Sequence, residues 1–174
     1  MDPGEPRIPL LTDRDALDAE GRAVFDRVVE GRGAMLRPFE LLLHAPATAE
    51  RVAALGHAIR FDSRLTDVDR ELATLATGRA RDCAFVWESH LDSAMAAGVT
   101  PATIVALESG SSDLGTHEAG LVEFVGELCR TGSVGDDTFR AVHEALGDGA
   151  TVDLAVTVGY YSMLALTMGA CRAC

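Results

Sequence analysis

One block of the chain, from Glu71 to His90, concentrates side chains able to move protons or electrons. Cys83, Trp87 and His90 stand at i, i+4 and i+7. At about 100° per residue, a helix through them projects a thiol, an indole and an imidazole from one side, within roughly 60° of each other. An imidazole exchanges protons near neutral pH, and a carboxylate from the preceding helix would fix its tautomer and hold its charge. Glu71, beside Leu72 and Leu75 on the inward side of that helix, is the carboxylate so placed. The chemistry this arrangement suits is general acid/base catalysis.

Other residues are candidates for holding a substrate. His57 and Arg60, three apart on one helix, combine a donor with a permanent cation, and a guanidinium suits bidentate binding of a carboxylate. Tyr160 and Tyr161 interrupt the most apolar stretch of the chain, where a phenol must find a partner; one is expected to line the cavity and one to pack. Trp87 is a candidate pocket wall. Cys171 and Cys174 form a CxxC whose spacing suits either a disulfide or half a metal site, but no second Cys/His pair stands nearby, so no metal is expected. Cys129, among Phe124, Val125 and Leu128, reads as a small buried hydrophobe. His44, His117 and His143 make no ligand spacing with each other.

Helices must position these groups. Apolar positions recur at helical spacing from Asp15 to Glu30, and Pro38 and Pro46 open helices over 39–44 and 47–61. Thr66 to Asp69 approximates a capping signal ahead of a helix from Asp67 to about Arg81. Further helices are expected over 83–97, closed by Gly98; after Thr100-Pro101 up to Glu108; and over 116–130, 136–146 and 152–168. The last is apolar enough to be buried around most of its circumference. No stretch sustains period-two alternation, so the expected fold class is all-α: a single-domain bundle of roughly eight helices. The organisation expected is an extended arm over 1–14, biased by Pro6 and Pro9, that lies across other structure or a neighbouring subunit, followed by a helical domain over 15–174.

Composition narrows the function. The chain has 174 residues, 27 acids against 15 cations and a formal net charge of −12, so a phosphate backbone is repelled and nucleic acid is not an expected partner. All 15 cations are arginine, which removes lysine Schiff-base chemistry. No apolar run is free of a charge, glycine or polar break over the length of a span, so no membrane is expected. The opening residues lack a secretory pattern, which points to the cytoplasm and to reduced cysteines.

The array Glu71, eleven residues, Cys83, two residues, Val86, three residues, His90 resembles the Glu-x11-Cys-x2-Cys-x3-His signature of the carboxymuconolactone decarboxylase and alkylhydroperoxidase D-like superfamily. Pro38-Phe39, His44-Ala45-Pro46, Ile59-Arg60-Phe61, Arg70-Glu71-Leu72-Ala73, Ala97-Gly98-Val99 and Gly159-Tyr160-Tyr161-Ser162-Met163 are similar to its decarboxylase-like branch, from about Arg7 to Gly169. The resemblance implies an alkylhydroperoxidase D-like homo-oligomer that needs no cofactor and manages protons on a small acidic or carbonyl metabolite. Peroxidase members carry a second cysteine where this chain has Val86, so their two-cysteine cycle is broken here. Cys83 remains a candidate catalytic thiol, although seven residues along a helix, about 10 Å, separate it from His90.

The leading expectation is therefore a decarboxylase-like lyase, or a related isomerase or cyclase. In it His90 moves the proton, Glu71 orients His90, and Arg60 or a helix amino terminus anchors a substrate carboxylate. One alternative is a thiol-dependent peroxidase or disulfide reductase using Cys83, with Cys171 or Cys174 as resolving thiol. Another is a non-catalytic oligomeric binding protein.

Overall fold

Helix α4 (Asp67–Ala80) is where the packing of the larger part of the molecule begins, and its sequence shows why. Thr66 caps it by accepting from the amide of Asp69, and Asp67 and Asp69 place negative charge on its first turn. From Glu71 to Gly78 every residue is buried. The threonines in that run avoid unsatisfied hydroxyls by donating four residues back, Thr74 to the Arg70 carbonyl at 2.8 Å and Thr77 to the Ala73 carbonyl at 2.7 Å.

The computed structural model describes residues 5–174, and among these the regular structure is eight α-helices and one short 3-10 turn at Arg14–Ala16, with no strand. The all-α expectation holds. The chain divides into two compact units, one ending at Asp62 and joined by Thr167–Ala173, the other running from Ser63 to Leu166 with Cys174.

The first unit contains α1 (Ala19–Arg32), α2 (Arg37–Leu42) and α3 (Pro46–Phe61). Val24, Val28, Phe39, Ala49, Val52 and Ile59 are among its buried apolar residues. Helix α1 starts later than the periodicity suggests, because Asp18 rather than a residue near Asp15 supplies the cap, accepting from the Gly21 amide at 2.7 Å. The expected arm runs to residue 14, and its first four positions lie outside the described residues. Its described part is non-helical up to Asp13 and rests on its own chain: the Arg7 amide donates to the Cys171 carbonyl at 2.7 Å and the Leu11 amide to the Glu40 carbonyl at 3.0 Å.

The second unit packs α5 (Ala84–Ala97) and α7 (Thr116–Thr131) on α4, with α6 (Pro101–Ser109) beside them. Helix α8 (Asp136–Cys171) is two helical arms joined at Gly147, whose φ of 76° and ψ of 174° break the helix. Leu72, Leu75, Leu121, Phe124, Val125, Leu154 and Val158 belong to the core of this unit. The expectation that the apolar final helix is buried nearly all round does not hold: Val152, Val156 and Leu166 are exposed along one stripe. By length and composition α8 also qualifies as a membrane span, contrary to the sequence reading, but half of the qualifying window is buried inside the fold, as in the core helix of a globular protein.

A three-residue turn joins α4 to α5 and makes them antiparallel neighbours. Gly78 sets how closely they approach, since a Cβ there would lie 3.0 Å from the Trp87 amide nitrogen and 3.1 Å from Val86 Cγ1. Gly78→Ala is expected to force the two helices apart at a cost of about 1–3 kcal/mol. Thermal denaturation followed by circular dichroism should show a midpoint lower by roughly 2–12 °C. An unchanged midpoint would mean that the approach of α4 to α5 is not tight.

Candidate active site

Glu71 lies on the buried face of α4, just past its first turn, and His90 lies midway along α5. The antiparallel packing brings their side chains together, with His90 Nδ1 2.8 Å from Glu71 Oε2. A carboxylate oxygen only accepts, so Nδ1 carries the proton and the neutral ring presents Nε2 as its basic nitrogen. The Glu71 side chain is 7% exposed and that of His90 19%, so the acid is withdrawn from water while the imidazole is still reached by solvent. The edge of Tyr161 meets the His90 ring, with centroids 4.9 Å apart at 85°, and Tyr160 meets Tyr161 in the same manner at 5.1 Å. Both tyrosines are buried, and Tyr161 is the one that touches the site.

Arg70 braces the pair from the other side. Its Nη2 lies 3.5 Å from Glu71 Oε1 and its Nη1 2.7 Å from Asp67 Oδ1, with only 12% of the side chain exposed. Its Nε is buried without a hydrogen-bond partner, a donor that sits beside the acid/base pair. Sequence reading passed over Arg70 because a cation next to an acid on a helix is ordinarily a surface residue.

Cys83 stands at the very start of α5. Asp82, a non-glycine residue at φ 50°, reverses the chain after α4, and the Cys83 amide returns to the Gly78 carbonyl at 3.0 Å. Cys83 is therefore the extended cap of α5, one residue before the helix that carries Trp87 and His90. Its sulfur is bonded to that of Cys174, 91 residues away, so the expectation of uniformly reduced cysteines is corrected. The CxxC does not close on itself; Cys171 is free and partly exposed, and Cys129 is free and buried. Cys83 and Trp87 line a cavity of about 210 Å³ together with Arg79, Glu88 and Glu108.

His57 and Arg60 stand on α3, where they line a cavity of about 270 Å³ formed with α1. A second imidazole–carboxylate contact escaped the sequence reading: His117 Nε2 lies 2.7 Å from Asp69 Oδ1, and His117 lines a cavity of about 320 Å³ between α7 and α8. The 48 residues between these two partners leave no spacing signal. Among the described residues no three His, Cys, Asp or Glu side chains are grouped as metal ligands would be.

The sequence profile of the carboxymuconolactone decarboxylase family matches residues 46–119, the stretch from α3 into α7 that carries both Glu71 and His90. No curated protein matches the sequence. Among solved structures, the chain is similar to an alkylhydroperoxidase AhpD core, an uncharacterized peroxidase-related protein from Ralstonia eutropha JMP134. That likeness has a TM-score of 0.79 at 20% identity, covering 97% of this chain and 91% of the other. It is also similar to a protein of unknown function from Agrobacterium tumefaciens linked to AhpD antioxidant defence (TM-score 0.66, 20% identity, 76% and 93% covered). A third similar structure is the apo form of the debrominase Bmp8 (TM-score 0.75, 15% identity, 94% and 88% covered). The chain has the all-α fold of these solved structures, and its segment 46–119, which contains the acid/base pair, is similar to the carboxymuconolactone decarboxylase family.

Proposed function

We propose that this protein is an acid/base enzyme that moves a proton at a carbon next to the carbonyl or carboxylate of a small metabolite, as a decarboxylase-like lyase or a related isomerase or cyclase. The observation that carries the reading is the 2.8 Å contact between His90 Nδ1 and Glu71 Oε2 on two helices locked together by a short turn. Glu71 is a positioning residue: it fixes the ring and its tautomer and compensates the imidazolium that forms. Nε2 is the atom that takes or gives the proton. In a decarboxylation the carbon–carboxylate bond breaks and leaves its electron pair on the carbon. The imidazolium then delivers its Nε2 proton to that carbon, and solvent reprotonates the ring. Turnover of small 3-oxo carboxylates and lactone carboxylates, followed by carbon dioxide release or NMR, tests the reading with His90→Ala as the control.

The bond between Cys83 and Cys174 favours a second reading, a thiol-dependent peroxidase. The Cys83 thiolate would take the distal oxygen of a hydroperoxide, forming a sulfenic acid and releasing an alcohol. The Cys174 thiol would displace that oxygen as water to form the disulfide, and an external dithiol would reduce it again. Peroxide consumption that persists undiminished in Cys83→Ser contradicts this second reading.

A further inference from the structure

The acid/base reading makes no use of the cavity between α7 and the first arm of α8. Leu121, Val142 and Leu146 give it apolar walls, and its polar side chains are those of Thr116 and His117. Among the described residues neither a carboxylate nor a guanidinium lines it. In a chain of net charge −12 such a hollow admits an uncharged ligand, whatever the average field does to ions. At about 320 Å³ its size enters the usual range for small-molecule sites, roughly 300–1,000 Å³.

His117 is held by one of its two ring nitrogens. Nε2 lies 2.7 Å from Asp69 Oδ1, and the acid's side chain is only 8% exposed against 49% for the imidazole. A carboxylate oxygen accepts and does not donate, so Nε2 carries the proton of this contact and the neutral ring keeps its lone pair on Nδ1. The buried acid raises the basicity of that lone pair. Among the described residues Nδ1 has no hydrogen-bond partner, which leaves it for a ligand.

Gly120, three residues along α7 from His117, also lines the cavity. A Cβ there would meet one atom within 4 Å, Val142 Cγ2 at 3.9 Å, which is an ordinary contact, and its φ is not positive. A glycine inside a helix costs about 0.8–1.0 kcal/mol relative to alanine. Neither packing nor backbone conformation asks for glycine at this position; its effect is to keep the space beside His117 open.

We propose that this cavity is a binding site for a small uncharged phenol, with the hydrocarbon on Leu121, Val142 and Leu146 and the hydroxyl donating to His117 Nδ1. A single acceptor beside apolar walls selects a neutral apolar molecule that carries one donor. A phenol hydroxyl, which ionises near a pH of about 10, donates more strongly than an aliphatic one and still keeps its proton at neutrality. The proposal stands apart from the acid/base reading: neither Glu71 nor His90 lines this cavity, and binding here is measurable without turnover.

The test is calorimetric titration of the full chain, at a pH of about 8 where the phenol is un-ionised, with 4-propylphenol against 4-propylanisole, whose methyl ether keeps the oxygen and removes the donor. The phenol should bind saturably and the ether about five- to tenfold more weakly, the factor that one hydrogen bond supplies. His117→Lys keeps a donor for Asp69 but has no acceptor, so it should erase the difference between phenol and ether. Gly120→Leu and Ala145→Leu fill the gap from α7 and from α8 with a residue that helices favour, so far-UV circular dichroism should overlay the wild type while binding is lost in both. Equal affinity for phenol and ether, a preference that survives His117→Lys, or phenol binding undiminished in both leucine variants would overturn the proposal. So would an absence of phenol binding; a change of assembly size in the leucine variants would then mark the gap as a face covered by another protein chain.

Discussion

His90→Ala is expected to lower kcat on the true substrate by about 10²- to 10⁴-fold, the range spanned by loss of a general acid or base. The fold should survive, because the imidazole is partly exposed and sits on α5 outside the apolar core. Far-UV circular dichroism that overlays the wild type would establish this. Glu71→Gln is the sharper variant. The amide keeps the shape and can still accept from Nδ1, but it cannot compensate the imidazolium, and its own NH2 group allows the ring to be held in the wrong tautomer. For a positioning residue kcat should fall by roughly 10- to 100-fold with KM little changed. A rise in KM at constant kcat would instead place Glu71 in substrate binding. Full activity in His90→Ala would remove the imidazole from the mechanism.

Reduction of the Cys83–Cys174 bond is expected to be the largest single loss of stability accessible by a mild treatment. The bridge closes a loop with a sequence separation of 91 residues. A loop of that length restricts the unfolded chain by about 4–5 kcal/mol in the chain-entropy account, and native disulfides commonly contribute about 2–4 kcal/mol. For a chain of this length that corresponds to a fall in midpoint of roughly 4–16 °C. Cys83→Ser and Cys174→Ser should each reproduce the effect of a reductant, and the double variant should be no worse than either, since all remove the same bond. Cys171→Ser, at a free thiol, should leave the midpoint where it was. A midpoint insensitive to reductant would show that the two sulfurs are not joined in solution.

Particular residues explain which parts of this structure were legible in the sequence. Helix starts at Pro46 and Pro101 and the stop at Gly98 fall where the chain needs them, because proline and glycine act on the backbone regardless of tertiary context. The pairing of Glu71 with His90 was legible for a related reason: an acid on the inner face of one helix and an imidazole on the next, joined by a turn too short to allow any other arrangement. Nothing local announces that Asp82 takes a left-handed conformation, so the role of Cys83 as the cap of α5 rather than its first residue was not legible. The union of Cys83 with Cys174 was legible only as one of two alternatives, Cys171 or Cys174 as resolving thiol, since spacing does not choose between them. The contact of Asp69 with His117 depends likewise on how α7 docks on α4. Apolar content predicted a fully buried final helix, but composition does not distinguish the face of α8 turned to the core from the stripe of Val152, Val156 and Leu166.

The measurement closest to the central claim is the transfer of solvent deuterium to the carbon next to the carboxylate or carbonyl of a substrate or bound analogue, followed by proton NMR in heavy water. The wild type should exchange that position at a catalysed rate, Glu71→Gln more slowly, and His90→Ala no faster than buffer. Equal exchange by the wild type and His90→Ala would contradict the assignment of proton transfer to His90.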